Sequence, residues 1–101
     1  MVVQGAPRPE GVREAEKIWV GYTASRRVGN AVLRNRAKRR MRAAATCVLP
    51  KRGRIGTDYV LIARAGTPDR PFPQLIADLE AALRRIGRGA PRGRVARARE
   101  G

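Results

Sequence analysis

One hundred and one residues, 43% of them hydrophobic, suffice for one small core and leave no room for a second. Lys and Arg total 23 against 8 Asp and Glu, a formal charge of +15, which points to a polyanionic partner, nucleic acid above all. A single cysteine and no histidine exclude an internal disulfide, a Cys/His metal cluster, and the Ser-His and Cys-His nucleophile pairs.

The chain opens on Val2 to Ala6, which reads as a short strand. Residues 7 to 16, with Pro7, Pro9 and Gly11, read as a connecting loop. Ile18 to Ala24 alternates, with Ile18, Val20, Tyr22 and Ala24 on one side and Trp19, Gly21 and Thr23 on the other. A period of two predicts a strand with one better-buried face. Tyr22 is then a core residue. Trp19 either stacks on a nucleotide or caps the sheet edge.

From Lys17 to Thr57 there are twelve basic residues and no acidic one. Self-repulsion in such a block costs stability unless an external anion, here phosphate, offsets it. Within it, Asn30 to Leu49 reads as a helix, with Asn30 as N-cap and Pro50 and Gly53 beyond its end. Leu33, Ala37, Met41, Ala44 and Val48 form a narrow apolar seam that can lie close against a sheet. Asn35, Lys38, Arg39 and Arg42 take the opposite side, flanked by Arg34 and Arg36. Cys47 reads as a small buried or half-buried filler.

Tyr59 to Ala63 is a continuous apolar run and reads as a central strand. Phe72 to Arg85 reads as a second helix, with Pro71 and Pro73 at its start and Phe72, Leu75, Ile76, Leu79, Ala82 and Leu83 on one face. Residues 1–86 thus form one ordered unit. Residues 87–101 carry five arginines among Gly and Pro without apolar periodicity, which predicts a disordered basic arm that either adds phosphate contacts or merely solubilises. No apolar run approaches the ~18 residues of a membrane span, and no secretory pattern opens the chain. The expectation is a cytoplasmic protein without a membrane partner.

Residues 25 to 42 read Ser-Arg-Arg-Val-Gly-Asn-Ala-Val-Leu-Arg-Asn-Arg-Ala-Lys-Arg-Arg-Met-Arg. This resembles the signature of the bacterial ribonuclease P protein component, in which two basic residues precede Gly-Asn-Ala-Val and an Arg-Asn-Arg triplet opens a basic helix. Val20-Gly21 before it, Asp58-Tyr59 leading an apolar strand, Ala63-Arg64 and the final amphipathic helix are similar too, so the resemblance covers residues 2 to 86. A general RNA-binding module would not require this motif. A DNA-binding helix-turn-helix would need a preceding turn and helix that the chain lacks.

The resemblance implies an α+β fold: a two-layer sandwich of helices on a small mixed sheet, similar to ribosomal-protein folds. Its strand-helix-strand crossover would be left-handed, although ~98% of such parallel crossovers are right-handed. The family's basic N-terminal helix is apparently absent, since this chain starts at the first strand. The implied role is accessory: the RNA subunit, with its Mg2+ ions, hydrolyses the phosphodiester joining the 5′ leader to precursor tRNA. The chain itself would then carry no catalytic residue and no metal, and would need no obligate protein partner. Its partners would be the catalytic RNA and the precursor tRNA leader.

Side-chain chemistry distributes the contacts. Arg34 and Arg36 can fork onto phosphate oxygens or stack on bases, and Asn35 suits a sugar hydroxyl or a base edge. Lys38, Arg39 and Arg42 extend that face, while Arg26 and Arg27 reach neighbouring phosphates. Asn30 marks a helix N-terminus with free backbone donors. Gln4, Trp19 and Thr23 are candidates for a cleft that holds the leader.

Overall fold

The computed structural model describes residues 1–7, 18–53, 57–86 and 94–97. Most of the loop expected over residues 7–16 lies outside them, as do residues 87–93 and 98–101 of the expected arm. In chain order the elements are β1 (Val2–Pro7), β2 (Trp19–Thr23), a 3-10 turn (Arg26–Val28), α1 (Ala31–Arg52), β3 (Thr57–Ile62), a second 3-10 turn (Thr67–Asp69), α2 (Phe72–Ile86) and β4 (Arg94–Arg97). The four strands form one mixed sheet in the order β2-β3-β1-β4. β2 and β3 are parallel and joined through α1, whereas β1 is antiparallel to both β3 and β4. Two helices on one face of a mixed sheet give the α+β sandwich.

The alternation of each strand decides which face the helices cover. Met1 just before β1, Val3 and Gly5 of β1, and Thr57, Tyr59 and Leu61 of β3, are buried. Leu75, Leu79, Ala82, Leu83 and Ile86 of α2 close over them, with Ala37, Met41, Ala44, Ala45, Val48 and Leu49 of α1 beside them. The alanines of α1 let its backbone come near its neighbours, as the narrow seam predicts. β2 is an edge strand, so Ile18, Val20, Tyr22 and Ala24 are only partly buried against the core. Tyr22 therefore sits at the core's margin rather than inside it.

Bonds at the element ends hold the two helices in place. Thr67 is fully buried, and its hydroxyl accepts from the Arg64 amide at 2.9 Å while its own amide donates to the Arg64 carbonyl at 3.0 Å. This turns the chain from β3 into α2. The Arg70 guanidinium then forks onto Asp78 of α2, with contacts of 2.5 and 3.2 Å. The Arg70 carbonyl in turn accepts from the guanidinium of Arg40. The buried Asp78 carboxylate thereby ties α2 to the turn before it, and the Arg40 guanidinium ties that turn to α1.

Three expectations are corrected. α1 continues through Pro50 to Arg52. A proline in the last turn forfeits one helical hydrogen bond, and the Gly53 amide closes the end on the Leu49 carbonyl at 2.8 Å. Cys47 is exposed, because at about 100° per residue it falls on the flank opposite Ala45 and Leu49. Part of the C-terminal arm is a strand: Arg94–Arg97 pairs with β1, Val95 opposite Gln4. A free strand edge presents unpaired N–H and C=O groups that any extended segment can satisfy, and four residues are too few to show periodicity.

Candidate nucleic-acid interface

The basic motif is organised by one glycine and one cap. Ser25 opens the first 3-10 turn, its hydroxyl accepting from the Arg27 amide at 3.3 Å. Gly29 then adopts φ +143° and ψ −158°, a conformation essentially closed to residues with a Cβ. Asn30 follows as N-cap, its side chain accepting from the Leu33 amide at 3.0 Å. The reversal at Gly29 places Arg26 and Arg27, both exposed, beside the first turn of α1. There the amides of Ala31 and Val32 add unpaired donors and the positive end of the helix dipole.

Along α1 the charges divide into three rows. Arg34, Lys38 and Arg42 step down the flank nearest β2. Arg34 and Lys38 are half-buried, and the Arg42 guanidinium lies 5.2 Å from the centre of the Tyr22 ring. Burial raises the Tyr22 phenol above its ordinary value of 10.0, while the positive charge of Arg42 pulls the other way. Asn35 and Arg39 occupy the exposed crest. Arg36 lies on the far flank, 3.9 Å from Asp69 in a pair exposed on both sides, an arrangement worth ~1 kcal/mol or less.

Arg40 shares the Arg36 flank but is spent on the Arg70 carbonyl. The acid-free run thus recruits two carboxylates from α2 and the turn before it: Asp69 for Arg36 and Glu80, at 3.7 Å, for Arg52. Arg26, Arg27, Arg34, Lys38, Arg39 and Arg42 pair with none of the described carboxylates. The structure brings all nine residues expected to bind RNA onto the first 3-10 turn, the Asn30 cap and the solvent-facing side of α1.

The second candidate group lies on the sheet face away from the helices. The strand register sets out its rows: Thr23 beside Ile62 and Val2, Gly21 beside Val60 and Gln4, Trp19 beside Asp58 and Ala6. Gln4, Trp19 and Thr23 are exposed, so the three candidates share one open face. Gly21 leaves a dent at its centre. A Cβ there would meet only Val60 Cγ2, at an ordinary 3.9 Å. Thr23 ends β2 two residues before Ser25, so this face runs directly into the basic turn.

Two features escaped the reading of the sequence. The Gly21 dent was hidden because a glycine in a strand carries no pattern of its own. Val32 is 73% exposed on the basic face; it lies off the apolar seam that starts at Leu33, and the reading of the basic face counted only its charged and amide side chains. Among the described residues no group of three or more His, Cys, Asp or Glu side chains converges, and no helix is long and apolar enough to cross a membrane.

Known proteins match this architecture and motif. The family model for ribonuclease P matches residues 2–87. The ribonuclease P protein component of Ruegeria pomeroyi is 58% identical over 87 residues, covering 85% of this chain and 68% of its own length. That of Paramagnetospirillum magneticum is 45% identical, covering 86% and 65%, and that of Caulobacter vibrioides 49% identical, covering 73% and 50%. The chain therefore spans between half and about two thirds of the length of these three relatives. The solved structure of the Staphylococcus aureus RNase P protein superposes with a TM-score of 0.65 at 27% identity, covering 85% of this chain and 74% of that one. With the signature on an exposed basic helix, its glycine reversal and cap in place, and the sheet beneath it matching, the chain belongs to the ribonuclease P protein family.

Proposed function

We propose that this chain is the protein subunit of the cytoplasmic ribonucleoprotein endonuclease RNase P, gripping the catalytic RNA with α1 and holding the precursor tRNA leader on the open sheet face. One observation carries the reading: six cationic side chains of the basic turn and α1 have no described carboxylate partner and spread over one continuous surface. Arg34 and Arg36 fork onto phosphates. The exposed Asp69 contact of Arg36 is weak enough for a phosphate to displace it. Asn35 meets a ribose hydroxyl or base edge, and Lys38, Arg39 and Arg42 follow the RNA backbone. Arg26, Arg27 and the amides behind Asn30 take the phosphates at the helix start.

The leader lies across the Gly21 dent, with Trp19 as a stacking platform and Gln4 and Thr23 as hydrogen-bonding partners. The phosphodiester hydrolysis, which matures the tRNA 5′ end, belongs to the RNA and its Mg2+ ions. Protein charge lowers the repulsion between two RNAs, so the subunit's effect is greatest where magnesium is scarce.

The test adds the folded protein to RNase P RNA and precursor tRNA at low magnesium. Restored cleavage supports the assignment. Cleavage that the folded protein leaves unchanged overturns it.

A further inference from the structure

The face of α1 is polar or small nearly everywhere that it meets solvent. Its exposed non-polar positions include Ala31 and Ala43, the residue type that favours helix most and demands no contact. Val32 breaks this rule. It is 73% exposed, and besides Trp19 it is the one large hydrophobic residue exposed among the described residues. A lone exposed apolar side chain is ordinary on a protein surface, so position must decide whether it means anything.

Position sets Val32 apart. One helical turn on from it are Asn35 and Arg36, and a second turn brings Arg39. The reversal at Gly29 sets Arg26 and Arg27 beside the same first turn. The valine is therefore ringed by groups suited to phosphate and sugar, yet it can neither donate nor accept a hydrogen bond. As a β-branched residue in a helix it holds essentially one rotamer, so its two methyls form a rigid, preorganised apolar knob. Such a knob costs little entropy to bury. Structured RNA supplies a fitting counterpart in bases splayed out of the stack, whose faces are apolar while their phosphates are not.

We infer that Val32 is an apolar contact within the RNA interface, seated on the face of an unstacked base of the catalytic RNA and ringed by phosphate-bound arginines. The inference rests on the function proposed above and adds a residue whose contribution is not electrostatic. Loss of that contact leaves counterion release untouched, so affinity falls while its salt dependence stays the same. Removing an arginine changes both.

The experiment measures binding of the full chain to RNase P RNA across a series of monovalent salt concentrations, for wild type, Val32→Ala, Val32→Thr and Arg39→Ala. Val32→Ala removes both methyls and favours the helix. Val32→Thr keeps the shape but replaces a methyl with a hydroxyl. Both are expected to bind about fivefold more weakly with the wild-type slope, while thermal melting stays close to wild type. Arg39→Ala is expected to flatten the slope.

Wild-type affinity in either Val32 variant overturns the inference, as does a slope flattened like that of Arg39→Ala. A wild-type chain that fails to bind this RNA overturns the proposed function itself, so the two failures are distinct. Precursor tRNA alone, used as a second probe, is expected to bind all the Val32 variants equally. A loss confined to that probe contradicts assignment of the contact to the catalytic RNA.

Discussion

Gly29 offers the sharpest link between a single backbone conformation and the interface. Its φ of +143° with ψ of −158° lies where a residue with a Cβ is strained by ~1–3 kcal/mol. Sterics add to this, because a Cβ at Gly29 would stand 2.5 Å from Leu33 Cδ1 and 3.1 Å from Leu33 Cβ. The methyl can swing away. The Cβ is fixed to the helix and must move with it by a few tenths of an ångström. Gly29→Ala is therefore expected to cost about 2–4 kcal/mol, a large share of the ~5–15 kcal/mol that holds a domain of this size together. Relief by shifting the turn would break the Asn30 cap and redirect Arg26 and Arg27. The variant is thus expected to lose RNA affinity even where it is fully folded. Urea denaturation measures the first effect and RNA titration below the transition measures the second. Stability within ~0.5 kcal/mol of wild type, the scatter of an ordinary surface substitution, would refute the argument that this reversal requires glycine.

Asp78→Ala leaves the largely buried Arg70 guanidinium without its partner and is expected to cost about 2–3 kcal/mol in chemical denaturation. Replacing both residues, Arg70→Met with Asp78→Leu, should recover most of that loss; a double variant no better than the single one contradicts the reading. Gly21→Ala adds a Cβ that would meet only Val60 Cγ2, at an ordinary 3.9 Å, and is expected to weaken precursor tRNA binding, with catalytic RNA affinity unchanged. Equal precursor affinity would clear the dent of any role. Because burial raises the Tyr22 phenol above 10.0, the folded chain keeps that proton to higher pH than the unfolded chain does. Stability then declines as pH rises from 10.0 through the folded value, and Tyr22→Phe should remove that share of the decline. An alkaline stability curve unaltered by Tyr22→Phe would contradict it.

What the sequence made legible follows from the range of each signal. Asn30 could be read as a cap and Leu33 to Val48 as a seam because helix periodicity and capping are local. Ile18 to Ala24 could be assigned a buried side because the pleat repeats every two residues. The pairing of Gln4 with Val60, and of Val60 with Gly21, depended on register between strands far apart in the chain, so the shared face of Gln4, Trp19 and Thr23 could be nominated but not assembled. Helix periodicity placed Arg42 on the polar row with Asn35, Lys38 and Arg39 and left Arg40 off it. What each guanidinium meets depends on the placement of Arg70 and Tyr22, which no local pattern supplies: one joins α1 to the turn before α2 and the other lies over a ring at the sheet edge. The strand at Arg94–Arg97 escaped notice because its partner, the free edge of β1, exists only once the sheet has formed.

The grip of the α1 surface on RNA is tested most directly by the salt dependence of binding to RNase P RNA, with wild type set against the double variant Arg34→Ala, Arg36→Ala. The expected result is affinity lower by about 1–3 kcal/mol and a log-log slope smaller by roughly two, one for each phosphate contact removed. Unchanged affinity together with an unchanged slope would place the RNA elsewhere on the molecule and contradict the assignment of this face.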